Sequence, residues 1–403
     1  MPTNTMTFNQ VATLLNSIQQ QATGQAALTA TNTSDFVSVA NTVLQTGFDP
    51  VLNAINQVLT RTIFSVRPYN RKFGIVEVPE SAYGNHIRKL SIADKPVLDD
   101  DRYKWPVAYD SGQTPPSGDG QVPPSMYQQN KPVILQTNFY GANVWSDCYP
   151  VYKDQLECAF KGPDELGSFL SMVIQNMADK LEQCRENMGR ACVSNFIGGL
   201  IDEADSLRVV HLLTEYAAAS GITLTSQTMY QPANFRPFIQ WAYAKILTVS
   251  EYMTERSQVF QTIVNSLPIM RHTPKDKQKL MMFAPAATQA VTMAMANTYH
   301  DKLVRLGGFE AVNFWQSIDT PDSISVTPGR IGSNGAVVTG SPVSQSGIFA
   351  VLFDEEALGY ATTQQWSAPT PLQARVGMSN IWLHETQRLW NDHSEKGVVF
   401  LLD

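Results

Sequence analysis

The most regular pattern in the chain is a stripe of apolar positions at spacings of three and four: Leu166, Leu170, Val173, Met177, Leu181, Cys184, Met188 and Cys192. That period predicts a helix. Gly162, Pro163 and Asp164 open it, because proline suits the first helical position and a carboxylate suits the positive end of the helix dipole. Gly198-Gly199 is expected to end it. Such a helix would span about 50 Å at 1.5 Å per residue, well beyond the average globular helix of about a dozen residues. It reads as a spine, and its methionines read as core rather than as a cofactor box.

Elsewhere the pattern is weaker. Within residues 1–46, Phe8, Val11, Leu14, Leu15 and Ile18 recur at helical spacing, but the segment TGQAALTATNTSD that follows has nothing to bury. Residues 1–46 are therefore read as an extended arm that packs on a partner, with a disordered tail as the alternative. In GFDPVLNAINQVL, Asp49 is the expected N-cap, Pro50 the first helical residue, and Val51, Ala54, Ile55, Val58 and Leu59 share a face. KFGIVEV, HIRKLSI and VILQTNFYGANVW alternate as strands do. The stretch between the last two, rich in Pro, Gly, Ser and Gln, is too long for a loop inside a compact domain. It is expected to be a two-stranded excursion projecting from the body. A lone ribbon is marginally stable, so this one should lie against another chain.

Residues 205–345 read as mixed α/β. The helix FRPFIQWAYAKILTVSEYMTERS precedes a strand, KLMMFAP; the helix ATQAVTMAMANTYHDKLVRL, closed by Gly307-Gly308, and the strand VNFWQSI follow. From residue 346 the chain returns to strands: GIFAVLF, YATTQQWS, SNIWLHETQRLWNDH and KGVVFLLD. No internal repeat of solenoid period is visible.

With 403 residues the chain is too long for one compact core. Charged residues are only 16% of it, against an average near 25%, which points to surface covered by something other than water, such as sister subunits, with a weakly charged monomer as the alternative. The net charge is −7, and the only basic run, KDKQK at 275–279, is short. Specific DNA binding, which draws its affinity from clustered Lys and Arg, is thereby disfavoured. Cys148, Cys158, Cys184 and Cys192 form no Cys-x-x-Cys pair, so they read as reduced thiols of a cytosolic protein. MPTNTMTFNQ has neither the basic region nor the apolar core of a signal peptide. No apolar run approaches the ~20 residues of a membrane span.

One stretch invites a chemical reading. IFAVLFDEEALGY places Asp354, Glu355 and Glu356 at the tip of a buried strand. With His384 and His393 they could form a metal or acid/base site, or they could simply be the polar end of a strand. HETQR at 384–388 starts like a zinc-protease helix, but Arg388 stands where the second histidine is required. Asp392, His393 and Glu395 match no ligand spacing. SGQTPPSGDG lacks the Gly-Lys-Ser/Thr of a phosphate loop, and no Gly-x-Ser-x-Gly elbow occurs. Trp366, Trp382 and Trp390 lack basic neighbours, so packing is preferred to a base-stacking groove. No catalytic, cofactor-binding or metal residue is assigned, and no cofactor is expected.

Taken in order, these elements resemble the major capsid protein of tailed bacteriophages, the Hong Kong 97-type fold. The most similar part is the close: FDEEALGY, then YATTQQWSAPTP, then ARVGMSNIWLHETQRLWNDHSEKGVVFLLD. The resemblance implies an α+β chain with an N-terminal arm (1–46), a first part of the peripheral domain (47–70) and a β-ribbon called the E-loop (71–146). The peripheral domain with its spine helix (147–204), an axial α/β domain (205–345) and the peripheral C-terminal strands (346–403) complete it. Asp354, Glu355 and Glu356 would then close a peripheral strand. The implied function is not enzymatic: pentamers and hexamers of this chain would assemble an icosahedral head around double-stranded DNA. Portal and scaffolding proteins, and possible decoration proteins, would be its partners, with DNA touched only non-specifically and no membrane involved. The arm is short and lacks coiled-coil heptads, which points to a separately encoded scaffold. The virion, assembled in the host bacterial cytoplasm, would be its location. The alternatives are an encapsulin-like nanocompartment shell, another phage structural component such as a tail or minor capsid protein, and a metal-dependent hydrolase built on the carboxylates and histidines above.

Overall fold

The computed structural model describes residues 8–23, 30–45, 49–51, 53–54, 87–93, 133–139, 143–285 and 309–403. The readings for KFGIVEV, the excursion at 94–132 and the helix preceding Gly307-Gly308 lie outside the described residues.

A five-stranded sheet forms one centre of the fold. Its strands are β4 (Val209–His211), β5 (Gln278–Phe283), β6 (Phe309–Val312), β11 (Ile348–Asp354) and β14 (Gly397–Leu401), in the order β4-β14-β11-β5-β6. Helices cover both faces, which is why β11 is apolar along its whole length rather than alternating. On one face, Phe349 and Leu352 meet α5 (Leu212–Ser220) and α6 (Pro232–Thr254) through residues such as Leu213, Phe238, Ile239 and Ile246. On the other, Val351 and Phe353 meet Phe196, Ile197 and Leu200 of the long helix α4 (Pro163–Glu203). β5 and β6 run parallel, as the strand–helix–strand reading requires, but the second strand is FEAV at 309–312; VNFWQSI (312–318) shares only Val312 with it and is otherwise not a strand.

The second centre is a three-stranded antiparallel sheet, β12-β13-β3, of β3 (Asn143–Tyr152), β12 (Leu358–Pro369) and β13 (Met378–Asn391). Ile381 and Leu383 of β13 pack with Val173, Met177 and Leu181 of α4, with Leu156 of the short helix α3 (Lys153–Ala159), and with two N-terminal helices. The last are α1 (Phe8–Thr23) and α2 (Thr33–Gln45). Two short ladders, β7 (Ile324–Val326) with β10 (Val343–Gln345) and β8 (Gly329–Ile331) with β9 (Val337–Thr339), complete the described strands beside the ribbon considered below.

Four expectations need correction. The N-terminal segment is not an extended arm, because α1 and α2 bury Val11, Leu15, Ile18, Phe36, Val39 and Val43 against their own chain. The helix α2 is legible after the fact: Phe36, Val39, Ala40 and Val43 share a face, and Asn32 accepts the Asp35 N–H at 2.8 Å as a cap. VILQTNFYGANVW is not one strand but two, β2 (Ile134–Phe139) and β3. The closing strands at 346–403 divide between the two sheets: β11 and β14 pair with 278–283 and 209–211, while β12 and β13 pair with 143–152. The strand ending in Asp354 therefore belongs with the sheet of residues 209–312 and not with β12 and β13.

The fourth correction concerns α4, which runs through Gly198-Gly199 to Glu203, 41 residues in all. Glycine is there for space. A Cβ on Gly199 would stand 2.2 Å from His393 Nε2, and one on Gly198 would stand 3.0 Å from a methyl of Val326. The helix stops at Ala204, whose φ of 53° is left-handed. A Cβ makes that conformation cost about 1 kcal/mol or more. Ala204→Gly is accordingly expected to raise the unfolding free energy by up to about 1 kcal/mol, read from the denaturation midpoint of unassembled subunits.

Candidate assembly surface

The feature that sets this subunit apart from a closed globule is the ribbon formed by β1 (Ile87–Ile92) and β2. It has no third strand among the described residues, and Ala93 N–H donates to Val133 O at its far end. Strand alternation gives it two unlike faces. Lys89, Ser91 and Leu135 lie on the face turned to the body. Leu135 lines a small gap with Arg271 and Ser394, and Ser91 Oγ accepts from Arg271 at 3.0 Å. Leu90, Ile92 and Ile134 lie on the other face and are 62%, 63% and 58% exposed. Ile92 and Ile134 are direct cross-strand partners. An isolated subunit thus offers water an apolar surface that hydrophobicity drives toward burial.

Lys89 fastens the ribbon down. Its ammonium lies 3.3 Å from Glu356 Oε2 and 3.3 Å from Asp392 Oδ2, and it also pairs with Glu395. Arg271 reaches the same Glu395 carboxylate. Burial disfavours the charged lysine, but Asp392 and Glu395 outweigh it and hold the Lys89 pKa above its ordinary value. Burial also pushes the Glu395 carboxyl up, to about 7, against the pull of Lys89 and Arg271.

This places the carboxylates singled out in the sequence. Asp354 accepts from Thr273 Oγ1 at 2.6 Å and from the Glu356 N–H at 2.8 Å, so it fixes the turn that ends β11. Glu355 pairs with Lys277 and Lys279 at 3.4 and 3.7 Å. Glu356 points to Lys89. The two histidines are elsewhere. His384 stacks on Trp366, with ring centroids 4.0 Å apart, on the outer face of the three-stranded sheet, where Trp366 is 45% exposed. His393 is wholly buried, stacked on Phe196 at 5.0 Å with Nε2 3.3 Å from Phe196 O. The turn at 392–396 brings Asp392 and Glu395 to Glu356, but around a lysine. Among the described residues, no group of three or more His, Cys, Asp and Glu is placed to hold a metal ion, and no helix is long and apolar enough to cross a membrane. Sequence reading missed Lys89 and Arg271, which carry no motif. The ribbon's apolar outer face was legible in the alternation of Arg88, Leu90 and Ile92 with Lys89 and Ser91.

Burial, and then the nearby Arg208 guanidinium, lower the His393 pKa to about 4. The unfolded chain takes up this proton near 6.5, so acidification from 6.5 to 4 favours unfolding. Glu395 acts in the opposite sense: between its ordinary 4.5 and about 7 the folded state binds more proton, and its contribution to stability falls as pH rises. The two partly offset in the wild type. Replacing His393 exposes the difference: from pH 7 to pH 4, His393→Asn should gain about 3 kcal/mol relative to the wild type, measured by denaturant unfolding of subunits at both pH values. A gap that does not change with pH would show that the ring keeps an ordinary pKa.

A subunit with a ribbon clamped at its base, an apolar outer face and a helix joining two cores belongs to the class of structural proteins that complete themselves against further copies. A family model described as Phi29-like phage major capsid protein matches residues 15–401, and the chain belongs to that family. It is a structural component of the phage capsid and virion, assembles with itself into shells, and is not an enzyme. Neither the encapsulin-like shell nor the hydrolase is favoured by this membership. Solved structures with a similar course include the capsid of Staphylococcus phage Andhra, at 11% identity and TM-score 0.48 over 84% of each chain. A chain in the structure of head fiber and inner core protein gp22 of native bacteriophage P68 is 10% identical with TM-score 0.49, over 83% of this chain and 85% of that one. The capsid of Cyanophage P-SCSP1u is 11% identical with TM-score 0.43, over 83% and 90%. No curated protein matches the chain in sequence.

Proposed function

We propose that this capsid protein forms pentamers and hexamers that close an icosahedral head around double-stranded DNA, and that the β1–β2 ribbon makes the contact between neighbouring copies. The observation that carries this reading is the outward row of Leu90, Ile92 and Ile134 on a two-stranded ribbon: a surface of this kind is stable only when covered. The ribbon with residues 94–132 is the E-loop. The peripheral domain comprises α1 to α3, the first part of α4 and the β12-β13-β3 sheet; the axial domain comprises the five-stranded sheet with α5 and α6. Portal, scaffolding and decoration proteins are its partners in the head, and assembly takes place in the host bacterial cytoplasm. DNA contact is weak and non-specific, in keeping with a net charge of −7.

Electron microscopy of the chain expressed with the phage's other head proteins tests this. Full-length chain should give uniform shells, and a chain lacking residues 96–130 should give folded subunits without stable shells. Normal particles from the deletion would refute the role of the ribbon. Uniform closed shells from this chain expressed alone would refute the need for a scaffold.

A further inference from the structure

The β8–β9 hairpin turns on Gly332, Ser333, Asn334 and Gly335, and Asn334-Gly335 is the only Asn-Gly pair in the sequence. The pair suits a hairpin turn because both residue types tolerate left-handed backbone, and Gly335 has a φ of 76°. The Gly332 N–H donates to Ala336 O at 2.9 Å and closes the tip. Over it the Asn334 side chain folds back: Oδ1 accepts the Ala336 N–H at 3.0 Å and lies 3.0 Å from the place a Cβ on Gly332 would take. The ring closed by the Oδ1 bond contains both the side-chain carbonyl carbon, Cγ, and the main-chain nitrogen of Gly335. An electrophile and a nucleophile are thus held in one short loop of atoms. The Ala336 N–H is placed to stabilise negative charge on Oδ1 when Cγ is attacked. Glycine leaves its own nitrogen unshielded, since no side chain stands beside it, and both residues are exposed to water. One contact opposes the reaction: the Gly335 N–H donates to Gly332 O at 2.9 Å, and that bond must open first.

We infer that Asn334-Gly335 is a self-modifying site, where the main-chain nitrogen of Gly335 attacks Cγ of Asn334 and converts this amide to a carboxylate. Hydroxide takes the proton from the Gly335 nitrogen. The nitrogen bonds to Cγ, the bond from Cγ to Nδ2 breaks, and Nδ2 leaves as ammonia with a proton from water. The product is a cyclic imide, which water opens at either carbonyl. Opening at the side-chain carbonyl gives aspartate; opening at the main-chain carbonyl gives isoaspartate, in which the chain runs through Cβ. Nothing is oxidised or reduced. Either product makes the uncharged tip GSNGAV anionic. Isoaspartate also lengthens the main chain inside the turn that Gly332 and Ala336 close. The tip is held from outside as well, where the Asn265 N–H donates to Ser333 O at 2.7 Å and a Cβ on Gly335 would stand 3.1 Å from Asn265 Nδ2. A longer turn loosens the hairpin and this hold together. The change runs one way and consumes only water, so it continues in a finished particle.

The test uses unassembled full-length subunits, so it stands apart from the shell reading. They are kept warm at mildly alkaline pH, sampled over time, digested and mapped by mass spectrometry. Asn334→Asp subunits supply a reference peptide with the mass of the product. The Asn334 peptide should decline, faster as pH rises, and two species of the reference mass should replace it, one eluting with the reference and one, the isoaspartyl form, apart from it. Asn334→Gln, whose amide carbon lies one bond farther out, should show neither. In the isoaspartyl fraction, hydrogen exchange at 329–331 and 337–339 should be about tenfold faster than in Asn334→Asp subunits; equal exchange would overturn the loosening. Folded subunits that keep Asn334 while the same chain in urea loses it would show that the Gly335–Gly332 bond protects the site, and the inference would fall. An intact residue in both states, or the same mass change in Asn334→Gln, would overturn it equally.

Discussion

Gly199→Ala subunits are expected to be severely damaged, and more so than Gly198→Ala subunits, whose added Cβ would stand 3.0 Å from a methyl of Val326. The Cβ added at Gly199 would sit 2.2 Å from Nε2, 2.8 Å from Cε1 and 3.1 Å from Cδ2 of His393. The atoms it meets belong to a rigid ring that is fully buried and stacked on Phe196, not to the end of a flexible side chain. Overpacking of a tight core costs about 1–3 kcal/mol and sometimes more; here a loss of about 3 kcal/mol is expected, enough to drain shell yield through unfolded subunits. Two comparisons isolate the cause. Gly162→Ala meets open space and should cost no more than about 1 kcal/mol, the worth of a weakened N-cap. In a His393→Ala background the Gly199→Ala cost should fall below about 1 kcal/mol, a coupling that a double-mutant cycle reads directly. An undiminished cost in that background would mean that the helix, and not the ring, rejects the methyl.

The second large effect is expected at Lys89. Lys89→Met removes the cation shared by Glu356, Asp392 and Glu395, and leaves Asp392, 0% exposed, without its ammonium partner. Removing one side of a buried charge cluster costs about 3–5 kcal/mol. The loss should appear first as release of the ribbon, because β1 and β2 pair with no other described strand. Hydrogen exchange of residues 87–92 and 134–139 should accelerate by a hundredfold or more while the five-stranded sheet keeps its protection. Equal protection of the ribbon in variant and wild type would show that Arg271 and Ser91 hold it without the lysine.

These two sites show what the sequence could and could not say. The spine helix, the helix over 232–254, the strand at 278–283 and the closing strands were legible because apolar period is set locally. The role of Gly199 was not. Two consecutive glycines normally end a helix, and only the return of His393, nearly two hundred residues later, turns them into a place of close approach. The sequence leaves the carboxylates at 354–356 open to a shared site with His384 and His393, and the fold sets both histidines elsewhere. The partners of the carboxylates were invisible, because Lys89 and Thr273 reach them through tertiary folding alone. The division of the last strands between two sheets escaped for a related reason: β11 and β12 are adjacent in sequence, and period does not tell which neighbour a strand will choose. The buried face of α2 was present in Phe36, Val39 and Val43, but it was hidden by a polar lead-in that looked unstructured.

The 41 residues of α4 serve both cores, the first through Val173, Met177 and Leu181 and the second through Phe196, Ile197 and Leu200. A continuous helix of this length is about 60 Å long, so a pivot of only 5° at one end carries the other about 5 Å. Copies sitting at flat and at sharply curved places of one container can therefore differ by a small rocking of this beam, with each packed end moving as a block and no side chain in either having to find a new neighbour.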